Sequence, residues 1–113
     1  MNIPEQVAPA YEYWQKFLKT QITFWLKTSD KHTKEYCKRV LLYCLLIADQ
    51  KNCLQRNGIS SVLLYQIFKD ADALDRFRLG PGGFDSKYLR TNEARKLVEY
   101  AKAVWKECCS KER

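Results

Sequence analysis

The chain has 113 residues, 46% hydrophobic and 13% aromatic, which suits one compact core and argues against a second domain. Its formal charge of +7 permits acidic proteins, nucleic acid or an anionic surface as partners and does not choose among them. The apolar run in "RVLLYCLLIADQ" meets charge after about nine residues, short of the roughly 18 a membrane span needs, so no span is expected.

From about Pro4 to Lys27, Tyr11, Trp14, Leu18, Ile22 and Trp25 recur at three- and four-residue intervals, which predicts a helix. Pro4 suits a first turn, and Pro9 is expected to bend or restart the helix. Phe17 and Phe24 widen the apolar face beyond what one neighbour covers. Ser29 and Asp30 are N-cap candidates for a second helix over about Lys31 to Lys51. Its stripe of Tyr36, Val40, Tyr43, Leu46 and Ile47, with Leu41, Leu42, Cys44 and Leu45 filling the circumference, marks it as central.

Asn57-Gly58 predicts a turn, and Ser60 or Ser61 can cap a third helix reaching about Leu79. Val62, Tyr65, Ile67, Phe68, Leu74 and Phe77 are expected mostly inward. "LGPGGFDS" predicts a loop, Asp85 or Ser86 a short turn through Leu89, and Thr91 or Asn92 the cap of a last helix to about Cys109. That helix is expected to bury Ala94, Leu97, Val98, Ala101, Val104 and Trp105. The sum is an all-α fold, one domain over residues 1–113, in a bundle of about four helices.

The five cysteines are odd in number and irregularly spaced, and neither they nor His32 form a zinc-ligand spacing. They are expected to be free thiols. "MNIPEQVAPAYEYW" has no basic segment followed by an apolar run, so a cytoplasmic protein made without a Sec signal peptide is expected. No phosphate-binding loop or acyl-transfer motif is present in the sequence.

The densest polar cluster is "KDADALDR", with Asp70, Asp72 and Asp75. Their spacing scatters them around a helix, which does not by itself make an acid/base pair, and the plain reading is solvated carboxylates or partners of nearby arginines. The longer segment "IFKDADALDRFRLGPGGFDSKYLRTNEARKLVEYAKAVW" resembles the C-terminal part of HD-domain metal-dependent phosphohydrolases, in the branch whose last motif has this order of aspartates followed by "YLR". "KHTKEYCKRVLLYCLLIADQ" resembles the opening segment of the same branch, in which two histidines four apart precede the helix.

The resemblance implies a shortened, degenerate member of that superfamily. The family holds its metal through an early histidine, a central His-Asp pair and a late aspartate, and the metal activates a water. Here the late aspartate corresponds to Asp72, the early histidine ligand falls at Tyr36, and His32 matches the other histidine of the opening pair. The central pair has no counterpart. Asp72 and His32 are therefore the residual metal candidates, and no catalytic residue, cofactor or complete metal site is expected. By the same resemblance, Asp75 and Arg76, with Arg78 and Arg90, are expected to tie the third helix to the glycine loop and the "YLR" turn.

The leading expectation is a non-catalytic adaptor or inhibitor of a partner protein, such as an enzyme. The candidate contact residues are Trp14, Phe17, Phe24 and Trp25, whose periodicity also fits ordinary core packing, and the basic Lys16, Lys34, Lys38 and Arg39 for an acidic partner. A homodimer through the first helix is another way to cover that face. Two other readings are a metal-dependent phosphohydrolase with an atypical cage, completed across a dimer by His32 and Asp72, and charge-driven nucleic-acid binding. The interleaving of acids with bases in "KECCSKER" and "KDADALDRFR" disfavours the latter.

Overall fold

The computed structural model describes the backbone of residues 3–21, 31–51, 61–80 and 82–111, and the side chains of 3–16, 35–51, 62–80 and 82–108. It is an all-α bundle, as the periodicity predicts. A 3-10 turn, Glu5–Val7, leads into α1, Ala8–Gln21. The second helix, α2, spans Lys31–Gln50, and α3 spans Ser61–Leu74. A 3-10 segment, Asp75–Leu79, continues from α3 and a second, Ser86–Tyr88, precedes the short α4, Asn92–Arg95; α5, Val98–Lys111, completes the fold. Among the described residues, no helix is long and apolar enough to cross a membrane.

Pro9 falls in the first turn of α1, where its missing N–H costs nothing, so it starts the helix and does not bend it. The central position of α2 follows from its sequence. Val40, Leu42, Tyr43, Leu45, Leu46, Ile47 and Ala48 are all buried, and α2 packs against α1, α3, α4 and both the 5–7 and 75–79 turns. Full burial of a leucine or isoleucine contributes about 1.5–3 kcal/mol, and Leu42, Ile47 and Leu74 belong to this core without exposed surface.

Three expectations are corrected. The third helix does not run evenly to Leu79: after Leu74 it tightens into 3-10 geometry, ending at Gly80, whose φ of 85° allows the chain to turn away. The last helix is divided, because Leu97 donates its N–H to the Ala94 carbonyl at 3.0 Å and the turn tightens there before α5 begins. Most importantly, Val62, Tyr65 and Phe68 face outward with Leu64, while Ile67, Ala71 and Leu74 form the inward stripe.

The two described caps follow the sequence; the cap candidates Ser29, Asp30 and Ser60 and the Asn57-Gly58 turn lie outside the described residues, as does the side chain of Ser61. Thr91 Oγ1 accepts the Ala94 N–H at 3.2 Å to open α4, and Asp85 accepts the Lys87 N–H at 3.0 Å to open the 86–88 turn. In the glycine loop, a Cβ on Gly83 would stand 2.6 Å from the Arg76 carbonyl oxygen and 2.7 Å from Leu79 Cβ. Only glycine fits that approach.

Candidate functional site

The three aspartates of the motif lie at the C-terminal end of α3 and just beyond it, and each has a different fate. Asp70 is fully buried and accepts three hydrogen bonds: the backbone N–H of Arg90 at 2.8 Å, that of Thr91 at 2.8 Å, and the Thr91 hydroxyl at 2.7 Å. Thr91 is itself the cap of α4, so one carboxylate fixes the "YLR" turn and orients the next helix. A carboxylate removed from water requires this kind of complete satisfaction.

Asp75 is also buried and takes a two-pronged contact from Arg39 of α2, Nε at 2.5 Å and Nη2 at 3.2 Å, with Arg78 Nε at 3.8 Å. Burial pushes the Asp75 carboxyl above the usual carboxylate range, while the adjoining guanidiniums pull it down. Burial alone would weaken the charge on Arg39, but the bond to Asp75 outweighs it and holds the guanidinium protonated. The Arg39 guanidinium also lies 4.9 Å over the Trp105 ring of α5, so the pair joins α2, the 75–79 turn and α5.

Asp72 is only half-buried. Its carboxylate accepts the Tyr36 hydroxyl from α2, and the Arg78 guanidinium lies 4.9 Å over the same ring. Burial and the bond to Asp72 both drive the phenol above its ordinary pKa of 10.0, so Tyr36 remains a neutral donor. The expected tie to the glycine loop is present, since Arg76 Nε donates to the Gly83 carbonyl at 3.1 Å. The expected tie to "YLR" runs through Asp70 and not through Asp75, while the Arg90 side chain turns to the Tyr88 carbonyl at 3.3 Å. Asp70 and Asp75 are thus buried structural groups: neither is solvated, and the arginine-partner alternative holds for Asp75.

Of the other nominated residues, Trp14, Lys16, Lys38 and Arg39 have described side chains. Trp14 is 42% exposed and meets Tyr13 edge-on with ring centres 5.3 Å apart. Lys16 pairs with Glu12 at 3.3 Å, and Lys38 with Glu35 at 3.4 Å. Arg39, placed by the sequence among basic surface residues, is a core residue because Asp75 lies within reach across the helix interface. Phe24 and Trp25 lie outside the described residues, as do the side chains of Phe17, His32 and Lys34.

At the positions that the HD resemblance pairs with the early histidine and the late aspartate, Tyr36 offers a neutral phenol that donates to Asp72, a poor donor set for a divalent metal, and among the described residues no three His, Cys, Asp or Glu side chains converge. Those two groups satisfy each other.

What the sequence did not single out is the outward side of α3. Val62, Leu64, Tyr65 and Phe68 are 51–67% exposed on its first two turns, and Tyr88 is 55% exposed. Lys69 and Arg90 both lie by the Tyr65 ring, at 5.8 and 5.9 Å. The available signal was composition: too many large apolar residues occur around this helix for one buried stripe. Comparison of the chain with family models, curated proteins and solved structures gives no significant match.

Proposed function

We propose that the chain is a non-catalytic protein-interaction module, an adaptor or inhibitor of a partner protein, built on a shortened HD-type scaffold. The observation that carries this reading is the outward face of α3. Isolated exposed apolar residues are ordinary on a protein surface, but four large ones on two successive turns make a patch of the kind that marks contact sites.

The motif supports the same reading. Asp70 and Asp75 are engaged in holding helices together, and Asp72 is bonded to the tyrosine at the position of the family's first metal ligand. A sequence can keep such a motif for its structural connections after the chemistry has gone. Loss of the layer that carries the family's central His-Asp pair would leave a helix face uncovered, and a partner protein would replace that layer.

The test is affinity capture by the tagged full chain in the cells that produce it, beside a Leu64→Glu/Phe68→Glu variant. A protein retained by the first and lost from the second, with both equally helical by circular dichroism, is the expected result. Identical captures from the two would overturn the reading.

A further inference from the structure

The α3 face has a charge character that goes beyond its exposure. Tyr65 has both the Lys69 ammonium and the Arg90 guanidinium within 6 Å of its ring, at 5.8 and 5.9 Å, and Arg90 reaches the patch because its backbone N–H is anchored on Asp70. Lys87 lies 5.2 Å over the Tyr88 ring at the near edge. Three acids of the same stretch of chain are already engaged: Asp70 is buried and bonded to Thr91, Asp72 accepts the Tyr36 hydroxyl, and Asp85 pairs with Lys87 at 3.5 Å.

From this we infer that the outward face of α3 receives an amphipathic helix of a partner protein whose apolar stripe is edged by aspartate or glutamate. The inference rests on the interaction reading above and adds the class of partner. Leu64, Tyr65 and Phe68 stand at i, i+1 and i+4, a ridge along one side of a helix, and ridges of this kind fit the groove of a second helix. Two cations beside the exposed aromatic, at 5.8 and 5.9 Å, favour acids on the partner, through steering and through exclusion of basic competitors. The same cations disfavour a second copy of this chain, since twofold pairing on the ridge would set Lys69 and Arg90 of both copies around one apolar seam.

A displayed library of amphipathic helices, with a fixed leucine and phenylalanine stripe and randomised flanking positions, is panned on the full chain and on a Lys69→Glu/Arg90→Glu variant. Both substitutions are side-chain changes that leave the Arg90 N–H bond to Asp70 in place. The wild type enriches helices with Asp or Glu flanks, and its best binder loses about tenfold or more in affinity for the variant. Enrichment that ignores flank charge, and that the variant does not alter, overturns the partner class and leaves the interaction reading standing. Absence of enrichment, or equal enrichment on Leu64→Glu/Phe68→Glu, overturns both. Dimerisation in sedimentation that the Leu64→Glu/Phe68→Glu variant abolishes overturns the inference in favour of a second copy.

Discussion

The two ends of α3 are opposites. Its C-terminal end and the 75–79 turn that continues it place two carboxylates in the interior, each satisfied by a partner distant in sequence: Asp70 by Arg90 and Thr91, Asp75 by Arg39. Its N-terminal end places Val62, Leu64, Tyr65 and Phe68 toward solvent. Polar groups are inside where the motif is and apolar groups outside where it is not. The difference separates the two ends of one helix: the motif end holds the fold, and the apolar end stays exposed, as the proposed contact role requires.

The largest expected effect breaks the motif end. Arg39→Ala leaves the Asp75 carboxylate buried without its main partner, and removing one member of a buried pair costs about 3–5 kcal/mol, read as a lower urea midpoint. Asp70→Asn follows. It replaces a carboxylate that accepts three bonds by an amide with one acceptor oxygen, at a cost of about 2 kcal/mol in the same titration.

A smaller effect has the opposite sign. Tyr43 of α2 is fully buried and its hydroxyl meets no hydrogen-bond partner among the described residues, so Tyr43→Phe removes an unsatisfied group and raises stability by about 1 kcal/mol. The smallest effect is at the apolar end. Leu64→Ser/Phe68→Ser changes stability by less than about 0.5 kcal/mol per site, because surface substitutions away from core contacts rarely do more. A loss of several kcal/mol at those two positions would mean that the face is part of the core and the contrast between the ends is mistaken.

The sequence made the bundle legible because helical periodicity is strong in α2 and the caps at Asp85 and Thr91 use ordinary turn chemistry. It misplaced the outward residues of α3 because apolar residues on two sides of a helix do not indicate which side faces the core. Ile67, Ala71 and Leu74 take that role through packing with α2, a tertiary choice. Asp70 was misread for a related reason. Its spacing from Asp72 and Asp75 describes only its own helix, whereas the donors that bury it are 20 and 21 residues further on. Arg39 looked like one more surface base beside Lys38, although it stands one residue from the buried Val40 and faces Asp75 across 36 positions of chain.

The central claim is that the aspartate motif is a structural clamp. A double-mutant cycle on Arg39→Ala and Asp75→Ala, followed by urea unfolding, tests it most directly. The clamp predicts a coupling of about 2 kcal/mol or more, with the double variant more stable than the sum of the single losses implies. Additive losses would contradict it.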